Sequence, residues 1–291
     1  MIVVDDAQAQ RPAELTEELI RSCCQTLERG GIVYFPRIPL QLSEEDLAFL
    51  RAQKQSDAAY HKNIAYRPLQ DRLTGYAGAE EERMRSVLSA FSHQALEYLR
   101  QFLRLYQWEV EYASFRPLEE SQRKAKLNAR NDLLHVDSFP TRPTEGKRIL
   151  RFFTNIHPTM KRVWKTGPPF PELARRYADE SGLLRQYRRQ RAGRDWRERL
   201  AGLGLPVQVH PAYDQFMHGF HNWLKANETF QTDPMHPVVE MAPLSSWMAM
   251  TDTASHAVLS GQYALEQTIL VRADSLLLPE LSPNQVLESL A

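Results

Sequence analysis

The chain has 291 residues, of which 43% are hydrophobic and 25% charged, as expected for a globular protein with a sizeable core. Thirty-six basic residues balance thirty-six acidic ones, so the net charge disfavours a nucleic-acid partner. Cys23 and Cys24 are adjacent, which excludes a disulfide framework, and neither a signal peptide nor a membrane span of about 18 apolar residues is recognisable.

Residues 1–107 are predicted to form a mostly helical support. Apolar residues recur at helical spacing over residues 13–29, and a short buried strand is predicted at residues 32–35. Ser43 stands in an approximate capping box that begins another helix. A long amphipathic helix is predicted from residue 80 to residue 106.

The pattern changes to strands from residue 108 onward. A basic helical insertion at about residues 171–203 interrupts this β region. Strands on both sides of a helical insertion favour one mainly β core over residues 108–272, with helical decoration, in a single domain spanning 1–291. Strands are predicted near residues 110–116, 133–136, 148–156, 247–251, 256–259 and 264–271.

The sequence His135-Val136-Asp137 is the principal candidate for a metal site. On a strand, residues two apart face the same side, so an imidazole and a carboxylate can reach one ion. A further histidine would complete the 2-His-1-carboxylate triad of non-haem Fe(II) oxygenases, which leaves coordination positions open. The H-x-D pattern alone is common by chance, so the surrounding elements carry the interpretation.

The third ligand is predicted to be His256, because it follows a turn and begins a strand. His218, His221 and His236 lie in the loop and helix region between the two strand segments and remain alternatives. The other histidines are interpreted as structural or surface residues.

The order of these elements resembles the double-stranded β-helix of 2-oxoglutarate dioxygenases. A closer resemblance is to the hydroxylases of 3-deoxy-D-manno-oct-2-ulosonic acid (Kdo), the inner-core sugar of lipopolysaccharide. It is carried by HVDSFPTRPTEGKRILRFFTNIHP at 135–158 and SSWMAMTDTASHAVLSGQYALEQT at 245–268. The resemblance implies hydroxylation of Kdo at C3 on the lipid A-linked sugar, with Fe(II), 2-oxoglutarate and O₂, and ascorbate as reductant.

The resemblance also implies a cation for the distal carboxylate of 2-oxoglutarate. Many family members place an arginine on the strand after the distal histidine, but Glu266 and Gln267 stand there. Arg148 and Arg151, on the strand after H-x-D, are therefore the candidates; their spacing puts them on opposite faces, and salt bridges on the sheet surface are the alternative. The expected neighbours of the cosubstrate are Asn155, Thr154, Thr268 and Trp247.

Seven arginines between residues 185 and 199 mark the insertion. They form either a solvated helix face or a landing site for anions such as lipid A phosphates, Kdo carboxylates or an anionic membrane. The expected partner is a glycolipid of the Kdo–lipid A type, and the expected location is the cytoplasm with peripheral contact at the inner membrane. These residues are Arg185, Arg188, Arg189, Arg191, Arg194, Arg197 and Arg199.

Two other functions remain open from the residues. One is a 2-oxoglutarate oxygenase that acts on a protein, an RNA or a small metabolite. The other is a non-catalytic β-helix protein that binds anionic glycans or lipids, an alternative supported by the missing arginine after the distal histidine.

Overall fold

Helices form an N-terminal layer and an insertion around the β core. The computed structural model describes residues 1–53, 63–122, 125–139, 142–192 and 211–291. Short 3₁₀ turns lie at Pro12–Glu14, Pro68–Gln70, Glu120–Gln122, Leu127–Ala129, Ala273–Ser275 and Pro279–Leu281. The α-helices in these ranges are α1 Asp6–Ala9, α2 Glu17–Glu28, α3 Glu44–Ala52, α4 Glu81–Phe102, α5 Phe170–Tyr177, α6 Leu183–Ala192, α7 Ala212–Ala226, α8 Glu228–Thr232 and α9 Pro283–Leu290.

The strands form two sheets. The larger has the order β1-β2-β9-β6-β11-β5-β3-β4, and the smaller has the order β10-β7-β8. All described pairings are antiparallel except that of β1 with β2. The strands are β1 Ile2–Val3, β2 Ile32–Phe35, β3 Ile64–Arg67, β4 Arg72–Thr74, β5 Trp108–Arg116, β6 Arg148–Asn155, β7 Arg162–Thr166, β8 Val238–Met241, β9 Ser246–Met250, β10 His256–Ser260 and β11 Ala264–Val271.

The N-terminal helices cover the outer face of the larger sheet. Apolar residues of α4 at helical spacing, including Phe91 and Leu99, are buried against sheet residues such as Phe152. Ser43 accepts a hydrogen bond from the Asp46 backbone N–H (3.0 Å) and caps α3, so the predicted capping residue is confirmed. This layer therefore fixes one face of the sheet, and the opposite face is left to meet the smaller sheet.

The two sheets pack face to face through an aromatic cluster. Phe153 and Trp247 of the larger sheet are stacked with their ring centroids 5.2 Å apart, and both contact Trp164 of the smaller sheet edge-on. Two antiparallel sheets joined in this way form a jelly roll. The predicted mainly β core of the double-stranded β-helix type is thus confirmed, with β6 and β11 at the centre of the larger sheet.

The helical insertion packs on the other side of the smaller sheet. Leu134 and Val136 are fully buried in the same apolar cluster as helices α5 to α7 and the C-terminal α9. Because side chains alternate along an extended segment, His135 and Asp137 then face the interior between the sheets. No described helix combines the length and apolar character that crossing a membrane requires.

Several predicted elements differ from the structure. The strand predicted at residues 133–136 is reduced to one bridge between His135 and His256, because the chain leaves the sheet on both sides of it. The sequence did not indicate β7, whose two buried members, Arg162 and Trp164, stand among less buried residues. The insertion is helical at α5 and α6, and its residues 193–210 lie outside the described part of the chain.

Candidate metal centre

His135 and His256 lie side by side at the edge of the smaller sheet. The backbone N–H of His135 donates to the His256 carbonyl (3.1 Å), and the backbone N–H of His256 donates to the His135 carbonyl (2.9 Å). Residues that exchange both hydrogen bonds present their side chains on the same face. Their ring centroids lie 4.8 Å apart, so both imidazoles enter the same space.

Asp137 lies two residues after His135, so its side chain is on the same face of the extended segment. Its backbone N–H donates to the Thr251 carbonyl (2.7 Å), which fixes the segment to the end of β9. One carboxylate oxygen, Oδ1, lies 3.5 Å from His135 Nε2. The imidazole and carboxylate of the H-x-D sequence thus point toward one position.

His221 approaches that position from helix α7. Its ring lies edge-on to His135 with centroids 4.8 Å apart. Within the described residues, potential ligand atoms of His135, Asp137 and His221 all lie within 4.8 Å of one another. The site therefore contains three histidines, including both the predicted third ligand, His256, and one of its alternatives.

Backbone carbonyls orient all three imidazoles. The Nδ1 atom of His135 bonds to the Leu133 carbonyl (2.7 Å), that of His256 to the Ala254 carbonyl (2.9 Å), and that of His221 to the Val136 carbonyl (2.8 Å). A carbonyl accepts but cannot donate, so Nδ1 carries the proton and the Nε2 lone pair remains for an ion.

Burial keeps the imidazoles neutral, which is the form that binds metals. It lowers the pKa of His135 to about 3 and that of His221 to about 4, and it also lowers the pKa of His256. Burial alone would raise the pKa of Asp137, but the positive charge of Arg151 holds it well below its usual value. The donors are therefore neutral nitrogens and an ionised carboxylate at neutral pH.

Arg151 links the metal position to a buried network of charges. Its Nε lies 3.0 Å from Asp137 Oδ2, and its guanidinium also donates to Glu266. The other carboxylate oxygen of Glu266 accepts from Arg116 (2.7 Å), and Thr268 donates to the same carboxylate (3.0 Å). Glu266, on the strand where many family members carry the cosubstrate arginine, instead holds two arginines in place.

A pocket opens beside these groups. Arg116, Arg162 and Lys225 were not predicted, because nothing in the local sequence distinguishes a buried arginine or lysine from an exposed one. His221 and Lys225, one helical turn apart on α7, had a weak signal in their spacing. Besides His135, Asp137, His256, His221 and Arg151, the lining includes Asn63, Tyr112, Arg116, Asn128, Asn131, Phe153, Arg162, Trp164, Lys225 and Val258.

Arg148 lies outside this pocket, although it was predicted beside the cosubstrate. Its Nε donates to Asp252 Oδ2 (2.8 Å), its Nη2 donates to Asp252 Oδ1 (3.2 Å), and the same guanidinium bonds to Thr253. Arg148 is completely buried in this structural ion pair. Of the two candidate arginines, the structure therefore brings only Arg151 to the site.

The other predicted neighbours of the cosubstrate are also absent from the pocket lining. The Asn155 amide donates to the Met160 and Ala242 carbonyls, both at 3.0 Å, and fixes the loop after β6. Trp247 belongs to the aromatic cluster, and Thr268 orients Glu266. Thr154 bonds to Ser246 on β9 (3.0 Å). These residues support the surrounding structure and do not line the pocket.

The alternative histidines His218 and His236 do not reach the metal position. His218 bonds to Asn222 on its own helix (3.3 Å), and His236 packs edge-on against Phe230. Neither lines the pocket.

Comparison with known proteins identifies the family of this chain. The sequence profile of the 3-deoxy-D-manno-oct-2-ulosonic acid (Kdo) hydroxylases matches residues 10–291. The chain belongs to the Kdo hydroxylase family. No curated protein sequence matches it.

Solved structures agree with this assignment. A crystal structure of the Kdo hydroxylase KdoO, a non-haem Fe(II) α-ketoglutarate-dependent dioxygenase, in complex with α-ketoglutarate and Fe(III) superposes with a TM-score of 0.81 at 29% identity. The match covers 100% of this chain and 96% of that chain. KdoO with cobalt(II) gives a TM-score of 0.81, and KdoO with succinate and Fe(III) gives 0.80, at the same identity and coverage. The predicted family, enzyme class and dependence on iron and 2-oxoglutarate are confirmed.

The donors of this Kdo hydroxylase fit Fe(II) and a dianion together. In the described residues, Arg116, Arg151 and Arg162 balance Asp137, Glu266 and Glu120, and Lys225 adds one more positive charge to the pocket lining. A divalent ion held by neutral imidazoles and Asp137 would leave an excess of positive charge, which the two carboxylates of 2-oxoglutarate neutralise. Because uncompensated charge is costly in a buried site, the metal and the cosubstrate favour each other.

The ion pair with Asp252 predicts that Arg148, unlike Arg151, contributes to stability and does not act at the site. Replacing Arg148 with Leu strands the buried Asp252 carboxylate, so we expect the free energy of unfolding to fall by about 3–5 kcal/mol. The 2-oxoglutarate affinity of the folded variant should remain unchanged. Denaturant unfolding and cosubstrate titration measure the two effects.

The matched control removes both charges. The double variant Arg148→Leu, Asp252→Asn leaves no unpaired carboxylate and should recover most of the lost stability. A large loss of cosubstrate affinity in stable, folded Arg148→Leu protein would contradict the structural role.

Proposed function

We propose that this Kdo hydroxylase adds a hydroxyl group at C3 of Kdo while the sugar is linked to lipid A. The main support is the meeting of H-x-D and His256 inside a jelly roll that matches KdoO over its full length. Kdo carries a carboxylate, and Lys225 and the pocket arginines suit an anionic sugar.

We further propose His135, Asp137 and His256 as the iron ligands. His256 is preferred over His221 because its backbone is paired with His135 and its ring stacks on Trp164, with centroids 4.9 Å apart. Both neighbours restrict its ring to one orientation. Bound iron supplies the oxidative chemistry, in which 2-oxoglutarate and O₂ are consumed and a C–H bond is hydroxylated.

The protein's own residues position the reacting groups. Carbonyl acceptors hold the imidazoles, and Arg151 holds the Asp137 carboxylate while Glu266 holds Arg151. The fully buried aromatic cluster behind the site excludes water from that side. The sugar is then admitted from the side bounded by Asn128, Asn131 and helix α7.

Arg162, assisted by Arg116, is the proposed partner of the distal carboxylate of 2-oxoglutarate. Both line the pocket, and their Nε atoms, like that of Arg151, are buried without a hydrogen-bond partner among the described residues. Arg151 is less suitable because both Asp137 and Glu266 neutralise it, whereas Glu120, the carboxylate beside Arg162, also faces Arg116. An incoming carboxylate would satisfy the N–H groups that the protein leaves unpaired.

The exposed arginines of α6 are the proposed contact with an anionic membrane surface. Arg185 and Arg189 are exposed, whereas Arg188 also donates to the Leu290 carbonyl (2.6 Å) near the C-terminus. Arg191 lies over the Tyr187 ring. This surface would hold the enzyme beside its lipid substrate, at the cytoplasmic face of the inner membrane; Arg194, Arg197 and Arg199 lie outside the described residues.

The first test is succinate formation from 2-oxoglutarate with Fe(II), ascorbate and Kdo–lipid A. We expect Asp137→Ala to lower turnover at least roughly a thousandfold, because the metal loses its carboxylate. Asp132→Ala is the matched control, since Asp132 lies in the same loop and pairs with Arg130 outside the pocket. Mass spectrometry of the sugar should show one added oxygen at C3.

The same assay separates the alternative functions. Stimulation of succinate release by a peptide, an RNA or a metabolite, with none by Kdo–lipid A, would refute the proposed substrate. Tight binding of Kdo–lipid A without stoichiometric iron or succinate would instead indicate a non-catalytic binding protein.

The cosubstrate proposal predicts a change in KM for 2-oxoglutarate. Replacing Arg162 with Leu removes a charge-assisted contact worth about 1.5–3 kcal/mol, so KM should rise by about 10-fold to 100-fold. Lys161→Leu is the control, because Lys161 precedes Arg162 and pairs with Glu240 at the surface. An unchanged KM in folded Arg162→Leu protein would exclude this arginine.

The membrane proposal predicts salt-sensitive binding to vesicles that contain anionic phospholipid. Each basic residue near such a surface contributes about 1 kcal/mol, so Arg185→Glu with Arg189→Glu should weaken vesicle binding at least about 30-fold. The matched control is the double charge reversal Arg21→Glu with Arg100→Glu, at two exposed arginines of the N-terminal layer. Equal vesicle binding by both double variants would refute a specific role for α6.

A further inference from the structure

His221 adds a third imidazole to a site whose chemistry needs two. Its Nδ1 bonds to the Val136 carbonyl (2.8 Å), in the middle of the H-x-D sequence, so the helix is tied to the metal position. Its ring is as far from His135 as the ring of His256 is, with centroids 4.8 Å apart in both cases. Its ligand atoms also fall in one group with those of His135 and Asp137.

The distances allow His135, Asp137 and His221 to approach one ion. Two donors bonded to the same ion at about 2.1 Å can lie at most about 4.2 Å apart. The 4.8 Å limit within which the His135, Asp137 and His221 atoms lie exceeds this only slightly. A small movement of side chains would therefore bring His221 within bonding distance.

The number of coordination positions decides when this can happen. An octahedral ion with a facial triad retains three positions, of which 2-oxoglutarate takes two and O₂ needs the third. A permanent fourth protein ligand would leave one position too few. His221 would therefore have to leave the ion before O₂ can bind.

We propose that His221 is a displaceable fourth ligand, which occupies an open position before 2-oxoglutarate binds and leaves when the cosubstrate chelates the metal. This inference rests on the proposed ligands His135, Asp137 and His256. The exchange breaks the metal–nitrogen bond to His221 and forms two metal–oxygen bonds, one at the vacated position and one at a position that was already open, with no change in oxidation state. Its consequence is that one fewer coordination position is open until the cosubstrate arrives.

The contacts that hold the histidines explain why His221, and not His256, would leave the ion. His256 is held by two backbone hydrogen bonds to His135, is 5% exposed and stacks on Trp164. His221 belongs instead to helix α7, is less buried, and its ring bonds to backbone groups of Asn128 and, through Nδ1, of Val136 (2.8 Å). A rotation about the Nδ1 contact would withdraw Nε2 without disturbing either sheet.

The experiment is a Co(II) titration followed by visible absorption, with and without saturating 2-oxoglutarate. Without cosubstrate, His221→Ala should weaken Co(II) binding about 10-fold to 100-fold and alter the spectrum. With cosubstrate, wild type and variant should have similar Co(II) affinities and spectra. By linkage, 2-oxoglutarate should then bind the Co(II)-loaded variant more tightly than the Co(II)-loaded wild type, by the same factor.

Two further variants serve as controls for loss of the Val136 contact and for loss of a nearby histidine. His221→Asn retains an amide that can donate to the Val136 carbonyl, so it should reproduce the effects of His221→Ala in a folded protein. His218→Ala, one turn earlier on the same helix and outside the pocket, should behave as wild type.

Two results would overturn the proposal. If His221→Ala binds Co(II) with wild-type affinity and spectrum in the absence of cosubstrate, His221 is not a ligand. If the loss is equally large with 2-oxoglutarate present, the cosubstrate does not displace His221. Failure of the proposed iron site is distinguishable, because His256→Ala would then retain Co(II), and an incorrect sugar substrate would not affect these titrations.

Discussion

The hydrogen-bonded pair of His135 and His256 is the constraint on which the site depends. Residues distant in sequence exchange two backbone hydrogen bonds, and this places two imidazoles on one face of the smaller sheet. The chain leaves the sheet on both sides of His135, so the bridge is short. It is reinforced by burial of Leu134 and Val136 in the helical insertion and by the bond from Asp137 to Thr251.

The two sheets and the insertion therefore have separate tasks. The larger sheet, backed by the N-terminal helices, supplies a rigid wall that carries Arg151 and Glu266. The insertion closes the opposite side and brings His221 and Lys225 to the pocket from α7. The strands hold His256 and the pocket arginines in place, and the helix adds His221 and Lys225 to the pocket lining.

The local patterns of the sequence were sufficient for most of the framework. The β-branched and aromatic run that became β6, and the apolar segment that became β11, are buried on both faces and could be recognised from composition. The period of two in H-x-D also predicted correctly that His135 and Asp137 share a face. These features depend only on residues close together in the chain.

The charged residues could not be assigned in this way, because their roles depend on distant partners. Arg148 and Arg151 both lie on β6, yet one is neutralised by Asp252 and the other by Asp137 and Glu266. Arg162 is buried only because Glu120 and the Gly261 carbonyl meet it there. Sequence spacing cannot reveal which carboxylate will be opposite a given arginine once the sheets have paired.

The charges around Glu266 explain why a carboxylate, and not the more usual arginine, lies on this strand. A cation at this position would lie beside Arg116 and Arg151 and would add unfavourable like charge to a buried cluster. A carboxylate there neutralises two arginines and keeps Arg151 against Asp137. The positive charge that attracts the cosubstrate can then be supplied from the smaller sheet by Arg162, so the departure in sequence is compatible with the same chemistry.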